Sequence, residues 1–133
     1  MKHHASYSKT EQERVQIHDS LNKHFLTHNL DSSAMQRIVD CMTEVKFQEC
    51  QQILRQGESG SEYYIIKRGQ CQVTVNNADG QQTKLKILKE GEAFGEVALL
   101  YDAVRTATVT AVTEGSLWKL DGHIFKKIII EST

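Results

Sequence analysis

No proline occurs in the chain, cysteine occurs only three times, and no apolar run approaches the ~20 residues that a membrane-spanning helix needs. Membrane insertion is therefore not expected. The cysteines are odd in number, lack a Cys-x-x-Cys spacing and follow no secretory apolar segment, so a disulfide framework is not expected either. A cytoplasmic protein with mostly buried free thiols is the prediction for Cys41, Cys50 and Cys71.

Neither sign of charge is in excess. Sixteen lysines and arginines stand against 17 aspartates and glutamates, which gives a formal net charge of −1. Binding to nucleic acid or to an anionic membrane surface draws on a clear positive excess. The charge balance therefore gives no electrostatic reason to expect binding to nucleic acid or to an anionic membrane surface.

The sequence also lacks the short motifs of common catalytic sites. No Gly-x-Ser-x-Gly, His-Glu-x-x-His, phosphate-loop or paired-carboxylate pattern is present. A metal-binding barrel of the cupin type would carry its histidines on strands, whereas all six histidines lie in predicted helices or the N-terminal segment. His24 and His28 are four residues apart, but no third ligand accompanies them, so a solvated helix face is favoured. We therefore expect no catalytic residue, metal or cofactor in this chain.

The N-terminal part of the 133-residue chain predicts two helices, and the whole length suits one domain with a real core. Residues 1–10 are expected to form a flexible lead-in or tag, and residues 11–43 a helical subdomain. Apolar residues four apart indicate an amphipathic helix over Glu11–His28. Asp31 is a candidate N-cap for a second helix, whose apolar stripe comprises Met35, Ile38, Val39 and Met42.

After Thr43 apolar residues recur at every second position, which is typical of a β-strand. Glycine-containing turns recur at intervals that suggest a sandwich or barrel. Residues 44–120 are therefore expected to form a β-domain. The run of aromatic and aliphatic residues at Tyr63–Ile66 predicts a buried strand. In the next strand, residues 71–76, three polar side chains are expected to point outward: Gln72, Thr74 and Asn76.

A hairpin turn is predicted at Asn77-Ala78-Asp79-Gly80, because Asp-Gly tolerates the positive φ that such turns require. The strand after it carries lysines that are expected to face solvent: Lys84, Lys86 and Lys89. Residues 121–133 are expected to form a C-terminal helix capped by Asp121, with an apolar face that includes Phe125 and Ile128.

Residues 94–109 combine a glycine turn, an apolar segment with one early carboxylate, a polar corner and an arginine at the start of a strand. Gly95 permits a sharp turn before Glu96–Tyr101, and the first N–H groups of a helix favour a phosphate. Arg105 lies nine residues after Glu96, far enough for the chain to return and offer two guanidinium N–H groups to the same phosphate. A carboxylate beside such a site suits sugar hydroxyls. Together these features describe a nucleotide site.

The same stretch resembles the phosphate-binding cassette of cyclic nucleotide-binding domains. That cassette runs Phe-Gly-Glu, aliphatic-Ala-Leu-aliphatic, a polar loop, then Arg-(Ala or Thr)-Ala-(Thr or Ser)-Val. Nearly all of it is present, as Phe94-Gly95-Glu96-Val97-Ala98-Leu99-Leu100 and Arg105-Thr106-Ala107-Thr108-Val109. The likeness extends from about Leu21 to about Ile130 and is closest to the first such domain of cAMP-dependent kinase regulatory subunits and of cGMP-dependent kinases. Val104 departs from the pattern, since many members have proline there.

The resemblance implies an α+β, mainly β fold. It would be an eight-stranded jelly-roll-like β-barrel with an N-terminal helical pair, a short cassette helix and a C-terminal helix. The resemblance also implies that Gly95 and Glu96 contact the ribose 2′-hydroxyl, while Arg105 and the backbone N–H groups of Ala98 and Ala107 contact the cyclic phosphate. The implied ligand-binding residues are Gly95, Glu96, Val97, Ala98, Arg105, Thr106 and Ala107.

Thr106 is the position that bears on the nucleobase. In kinase domains of this family the residue after the arginine is commonly alanine where cAMP binds and threonine where cGMP is preferred. The expectation is thus a cGMP-preferring allosteric switch for a Ser/Thr kinase catalytic domain, in cis or in trans. The alternatives are a cAMP-binding domain of a kinase regulatory subunit and the cyclic nucleotide domain of a channel. A bacterial-type transcription regulator is disfavoured, because no basic recognition helix follows the last predicted helix.

Overall fold

The computed structural model describes residues 9–23, 30–99 and 103–131. Within these ranges the chain forms three α-helices, ten strands and one 3₁₀ helix, here called the cassette helix. In chain order they are α1 Glu11–Asn22, α2 Ser32–Cys41, β1 Thr43–Phe47, β2 Gln52–Leu54, β3 Ser59–Gly60, β4 Glu62–Arg68, β5 Cys71–Asn76, β6 Gln82–Leu88, β7 Ala93–Phe94, the cassette helix Glu96–Leu99, β8 Ala103–Val104, β9 Thr108–Ala111, β10 Gly115–Asp121 and α3 Gly122–Glu131.

Eight of the strands form two four-stranded antiparallel sheets. Their orders are β1-β10-β4-β7 and β2-β9-β5-β6. Buried side chains of both sheets share one cluster, the sandwich core, which includes Phe47, Ile66 and Leu117 from the first sheet and Val73, Leu88 and Val109 from the second. The predicted jelly-roll-like fold is therefore confirmed, although two facing sheets describe it better than a closed barrel. The short β3–β8 ladder is an addition that the sequence did not indicate.

Both N-terminal helices begin at side-chain caps. Thr10 and Glu13 form a reciprocal capping box at the start of α1. At α2 the Asp31 carboxylate accepts a hydrogen bond of 2.8 Å from the N–H of Ala34, as predicted. The four residues of the predicted apolar stripe of α2 are all buried. Helix α1 ends at Asn22, and residues 24–28 of the longer predicted helix lie outside the described residues.

Polar contacts fasten α1 to the first sheet. The indole Nε1 of Trp118 donates to the Gln16 side chain at 3.1 Å. The Lys67 ammonium lies 4.9 Å from the centre of the Trp118 ring and pairs with Glu13 at 2.8 Å and Glu44 at 3.2 Å. The hydrogen bond from Lys67 holds the pKa of Glu13 below its ordinary value, and the same bond raises the pKa of Lys67. We call Glu13, Gln16, Lys67 and Trp118 the α1 clamp.

The β5–β6 hairpin has the predicted turn and one irregularity. The N–H of Gly80 donates to the Asn77 carbonyl at 2.9 Å, which closes the turn. The ladder then shifts register between Val73 and Thr74, where two neighbours on β5 pair with Lys86 and Lys84 and leave Leu85 between them. The residues of β5 still alternate, since β5 pairs regularly with β9, but Thr74 is buried, contrary to the prediction that it is exposed.

A second apolar cluster, the helical core, joins the helices to the first sheet. It contains Leu99 of the cassette helix together with residues of α1, α2, α3, β4 and β10. Phe125 and Ile128 of α3 are buried in it as predicted, and Asp121 accepts a hydrogen bond of 2.7 Å from the N–H of His123 at the start of that helix. The cassette helix therefore belongs to the same cluster as the three α-helices, and its main contacts are with β4 and α3.

The cysteines differ from one another in exposure. Cys71 is buried, and burial raises the pKa of its thiol to about 11. Cys41 is half-buried, while Cys50 is exposed in a turn, so the expectation of buried thiols is wrong for Cys50. None of the helices in the described ranges combines the length and apolarity that crossing a membrane requires.

Candidate functional site

The cassette begins with the turn that the sequence predicts. Gly95 has φ +85°, a left-handed value that favours glycine, and the cassette helix starts at the next residue. Leu99 anchors that helix, since its side chain is fully buried. Leu100, Tyr101 and Asp102 lie outside the described residues, and the chain returns in β8, which pairs with β3.

Backbone and side-chain contacts hold Arg105 in place. Its N–H donates to the Glu58 carbonyl and its own carbonyl accepts from the N–H of Gly57, both at 2.8 Å. Its guanidinium Nη2 donates to the Glu62 carbonyl at 2.8 Å and lies 3.7 Å from the Glu62 carboxylate. The arginine is only 8% exposed. Because Nη2 of this buried guanidinium is already hydrogen-bonded, the group is held in one orientation, and its remaining N–H groups can bind an anion.

Two glycines shape the space around this guanidinium. A Cβ atom added at Gly60 would lie 2.8 Å from Nη2 and 2.9 Å from Nε of Arg105. One added at Gly95 would lie 3.1 Å from Nη1 and 2.9 Å from the Glu62 carbonyl oxygen. These separations are shorter than ordinary contacts, so a side chain at either position would displace the guanidinium. The position of Arg105 thus depends on glycine at both places.

Arg105 lines a cavity of about 370 Å³ between the cassette and the second sheet. Among the described residues, the charged side chains that border it are those of Lys86, Glu96 and Arg105. Its other lining residues are mostly apolar: Leu54, Val73, Leu88, Ala93, Phe94, Gly95, Val97, Val104, Thr106, Ala107 and Val109. Beneath the cavity the Phe94 ring stacks on Tyr64, with ring centres 5.2 Å apart. An apolar chamber with few charged groups suits a compact polar ligand that carries a flat ring.

The structure brings six of the seven predicted site residues to this one cavity, and the side chain of Ala98 lies outside the described part. Thr106 is exposed at the cavity. Glu96 interacts electrostatically with the buried Tyr63. Burial raises the pKa of Tyr63, and the negative charge of Glu96 raises it further.

Sequence reasoning missed three residues of this site. Gly60 of β3 and Glu62 of β4 contact Arg105, and no motif marks either residue. Lys86 is exposed, as expected for it together with Lys84 and Lys89, but it also lines the cavity, which the sequence does not indicate. The register shift at Val73 places it there, and the alternating sequence does not reveal that shift.

Residues 44–132 match the family model of the cyclic nucleotide-binding domain. The chain belongs to that family. The match begins in β1 and ends after α3, so it includes both sheets and the whole cassette of this cyclic nucleotide-binding domain.

Known relatives of this domain include regulators of protein kinases. It is 35% identical over 125 residues to a cAMP-dependent protein kinase regulatory subunit of Blastocladiella emersonii, a match that covers 94% of this chain and 31% of the relative. The regulatory domain of Toxoplasma gondii PKA, solved with cAMP, is 34% identical with a TM-score of 0.81 and coverage of 92% and 46%.

A third relative has a different bound molecule. It is the regulatory subunit of a cAMP-independent protein kinase A from Trypanosoma cruzi, solved with guanosine, at 26% identity and a TM-score of 0.78. That match covers 98% of this chain and 45% of the other. The cyclic nucleotide-binding domain described here thus spans about a third of the length of its curated relatives.

Proposed function

We propose that this domain binds a 3′,5′-cyclic purine nucleotide in the cavity beside Arg105 and thereby regulates a Ser/Thr kinase catalytic domain, in the same chain or as a separate subunit. The observation that carries the proposal is the buried Arg105 guanidinium, held by Glu62 at the edge of a cavity that Glu96 also lines. Arg105 would bind the cyclic phosphate, and Glu96 would accept a hydrogen bond from the ribose 2′-hydroxyl.

The packing of the cassette supports an allosteric mechanism. Leu99 belongs to the helical core, which contains residues of α1, α2 and α3. A ligand that contacts Glu96 and Arg105 would reposition the cassette helix and with it the contacts of Leu99. The helices would transmit the change to the kinase, while the sandwich core would remain a fixed frame.

Two nucleobases have separate support. The relatives from Blastocladiella emersonii and Toxoplasma gondii, named or solved with cAMP, support adenine. Thr106 supports guanine, because its exposed hydroxyl at the cavity would accept a hydrogen bond from the 2-amino group, which adenine lacks. One such bond contributes roughly 0.5–1.5 kcal/mol, so Thr106 alone would give a preference of about ten-fold or less for cGMP.

Calorimetric titration with cAMP and with cGMP tests the proposed site. We expect Arg105→Lys to weaken binding of both by about 30-fold (~2 kcal/mol), because an ammonium cannot replace the two-pronged guanidinium. The matched control is Arg55→Lys, an exposed arginine that pairs with Glu58 at 3.6 Å and does not line the cavity. Thermal unfolding would verify that both variants fold. Failure of the wild type to bind either nucleotide, or equal affinity in Arg105→Lys, would contradict the proposal.

A further inference from the structure

We propose that Tyr63 is a positioning residue, which together with Ser20 of α1 orients the Glu96 carboxylate toward the ribose. This role rests on the proposed function, in which Glu96 accepts the ribose 2′-hydroxyl. It adds a polar connection between the ribose end of the cavity and helix α1, whose described residues do not line that cavity.

Ser20 and Tyr63 bring hydroxyl groups into an apolar region. Tyr63 is 1% exposed and Ser20 is 5% exposed. Ile17 and Leu21, on the same buried side of α1 as Ser20, belong with Tyr63 to the helical core. The two hydroxyl-bearing residues also line one cavity of about 230 Å³. Because a buried hydroxyl costs free energy unless it is hydrogen-bonded, two of them at one place indicate a specific polar contact.

The cassette lies directly against Tyr63. A Cβ atom added at Gly95 would lie 3.7 Å from the Cα of Tyr63, and Glu96 is the next residue of the chain. The cavity of the two hydroxyls shares lining residues with the nucleotide cavity, namely Lys86, Leu88 and Ala93. Ser20 and Tyr63 are therefore next to the nucleotide cavity without lining it.

The surroundings of Tyr63 give its hydrogen bonds a direction. Burial raises the pKa of Tyr63, the negative charge of Glu96 raises it further, and a hydrogen bond with Ser20 lowers it. A hydrogen bond that lowers the pKa of a phenol is donated to the phenol oxygen, so Ser20 is the donor. The phenol keeps its own proton, which is left to point toward the negative charge of Glu96.

An O–H dipole in this orientation holds the Glu96 carboxylate before the ribose binds. A carboxylate that is already ordered loses less conformational freedom when it accepts the 2′-hydroxyl. Because Ser20 belongs to α1, the position of that helix sets the orientation of Tyr63. The affinity for the 2′-hydroxyl therefore depends on a helix outside the nucleotide cavity.

Nucleotide pairs that differ only in the 2′-hydroxyl test this role. Calorimetry would measure the affinity of cAMP relative to 2′-deoxy-cAMP, and of cGMP relative to 2′-deoxy-cGMP. A merely structural defect weakens both members of a pair alike and leaves their ratio unchanged. We expect Tyr63→Phe to lower the ratio by about two- to ten-fold, the loss expected for one hydrogen bond. Ser20→Ala should lower it as well, and the double variant should match Tyr63→Phe, because Ser20 acts through Tyr63.

Tyr64→Phe and Ser116→Ala are the matched controls. Tyr64 is the neighbouring tyrosine, whose side chain lies in the sandwich core, and Ser116 is a buried serine of β10 that borders neither cavity. Both variants should keep the wild-type ratio.

An unchanged ratio in Tyr63→Phe would overturn the inference, as would a double variant in which the two losses add. Should thermal unfolding show that Tyr63→Phe does not fold, Ser20→Ala decides alone, and an unchanged ratio there would have the same meaning. Wild-type protein that binds cyclic nucleotides as tightly as their 2′-deoxy analogues would also overturn the inference, yet leave the nucleotide site in place. No binding of any cyclic nucleotide would instead contradict the proposed function.

Discussion

Arg105 is positioned by backbone atoms as much as by side chains. Its peptide group exchanges hydrogen bonds with Gly57 and Glu58, and its guanidinium donates to the Glu62 carbonyl. A group that is already ordered loses little conformational freedom when a ligand binds. Much of the affinity for an anion should therefore depend on the loop and strand that hold Arg105, and not on the arginine alone.

Gly60→Ala tests this dependence. The added methyl would lie within 3.2 Å of three guanidinium atoms, so the arginine must turn away. Gly60 does not have a positive φ, and alanine fits its backbone without strain. We expect the affinity for cyclic nucleotide to fall by about two- to ten-fold, because an off-rotamer side chain costs roughly 0.5–1.5 kcal/mol. Calorimetry measures the loss, and the unfolding temperature should change by only a few degrees.

Ser59→Ala is the control for Gly60→Ala, since Ser59 is the other residue of β3 and is exposed. Its affinity should match that of the wild type. If Gly60→Ala also binds with wild-type affinity, then the guanidinium tolerates displacement and the preorganisation argument is wrong.

The contrast among site residues shows what sequence can reveal at this scale. Glu96 and Arg105 belong to one continuous motif with a chemical reason for each residue, so the sequence alone predicts them as site residues. Gly60 and Glu62 act on Arg105 from 45 and 43 positions earlier in the chain, through contacts that only the fold creates. The position of Lys86 at the cavity depends on a one-residue register shift, and an alternating pattern cannot show such a shift.

Helix α1 is held to the sheet by polar contacts as well as by the buried Ile17 and Leu21. Most of its other residues are exposed. Polar contacts at a partly exposed surface contribute little individually. Because the Glu13 carboxylate loses its charge in acid, its ion pair with Lys67 should make the attachment of α1 sensitive to pH.

Glu13→Gln tests the pH dependence of the clamp. Because the pKa of Glu13 in the folded chain is below its ordinary value of 4.5, its ion pair stabilises the fold above that pH. The contribution should disappear as the pH falls through the lowered pKa. We expect the wild type to be about 0.5–1 kcal/mol more stable than Glu13→Gln at pH 7, and the difference to disappear in acid, below the lowered pKa. Urea unfolding at pH intervals across this range measures it.

Glu11→Gln is the control, since Glu11 is the other acidic residue in the first turn of α1. It separates the loss of the Lys67 ion pair from a general loss of negative charge at the helix start. A stability difference for Glu13→Gln that persists unchanged down to the most acidic pH at which the chain folds would show that the carboxylate acts through something other than its charge.

Elements with local signals were predicted well. The Asp31 cap, the hairpin turn at Gly80 and the apolar stripe of α2 each depend on residues within a few positions of one another. The two-residue ladder of β3 and β8 had no such signal, because neither strand is long enough to show a period. That ladder matters to the site, since it brings Gly60 beside Arg105.

At the scale of the whole molecule, the two cores hold different elements together. The sandwich core joins the two sheets, whereas the helical core joins the cassette helix to α1, α2 and α3. The first sheet contributes to both, because successive residues of β4 face opposite ways: Tyr63 and Ile65 lie in the helical core, and Tyr64 and Ile66 in the sandwich core. If the proposed function is right, a ligand signal would move the helices across one face of a sheet whose other face stays fixed.

Hydrogen exchange with and without cyclic nucleotide tests this division. At labelling times that are short relative to global unfolding, exchange reports local opening. We expect the nucleotide to change exchange in the cassette helix and α3, and to leave β5 and β9 in the sandwich core unaltered. A 5′-mononucleotide, which lacks the cyclic diester, is the control ligand and should change neither. Exchange that changes only at the cassette would show that Leu99 does not transmit the signal, while equal changes in β5, β9 and α3 would mean that the two cores respond as one body.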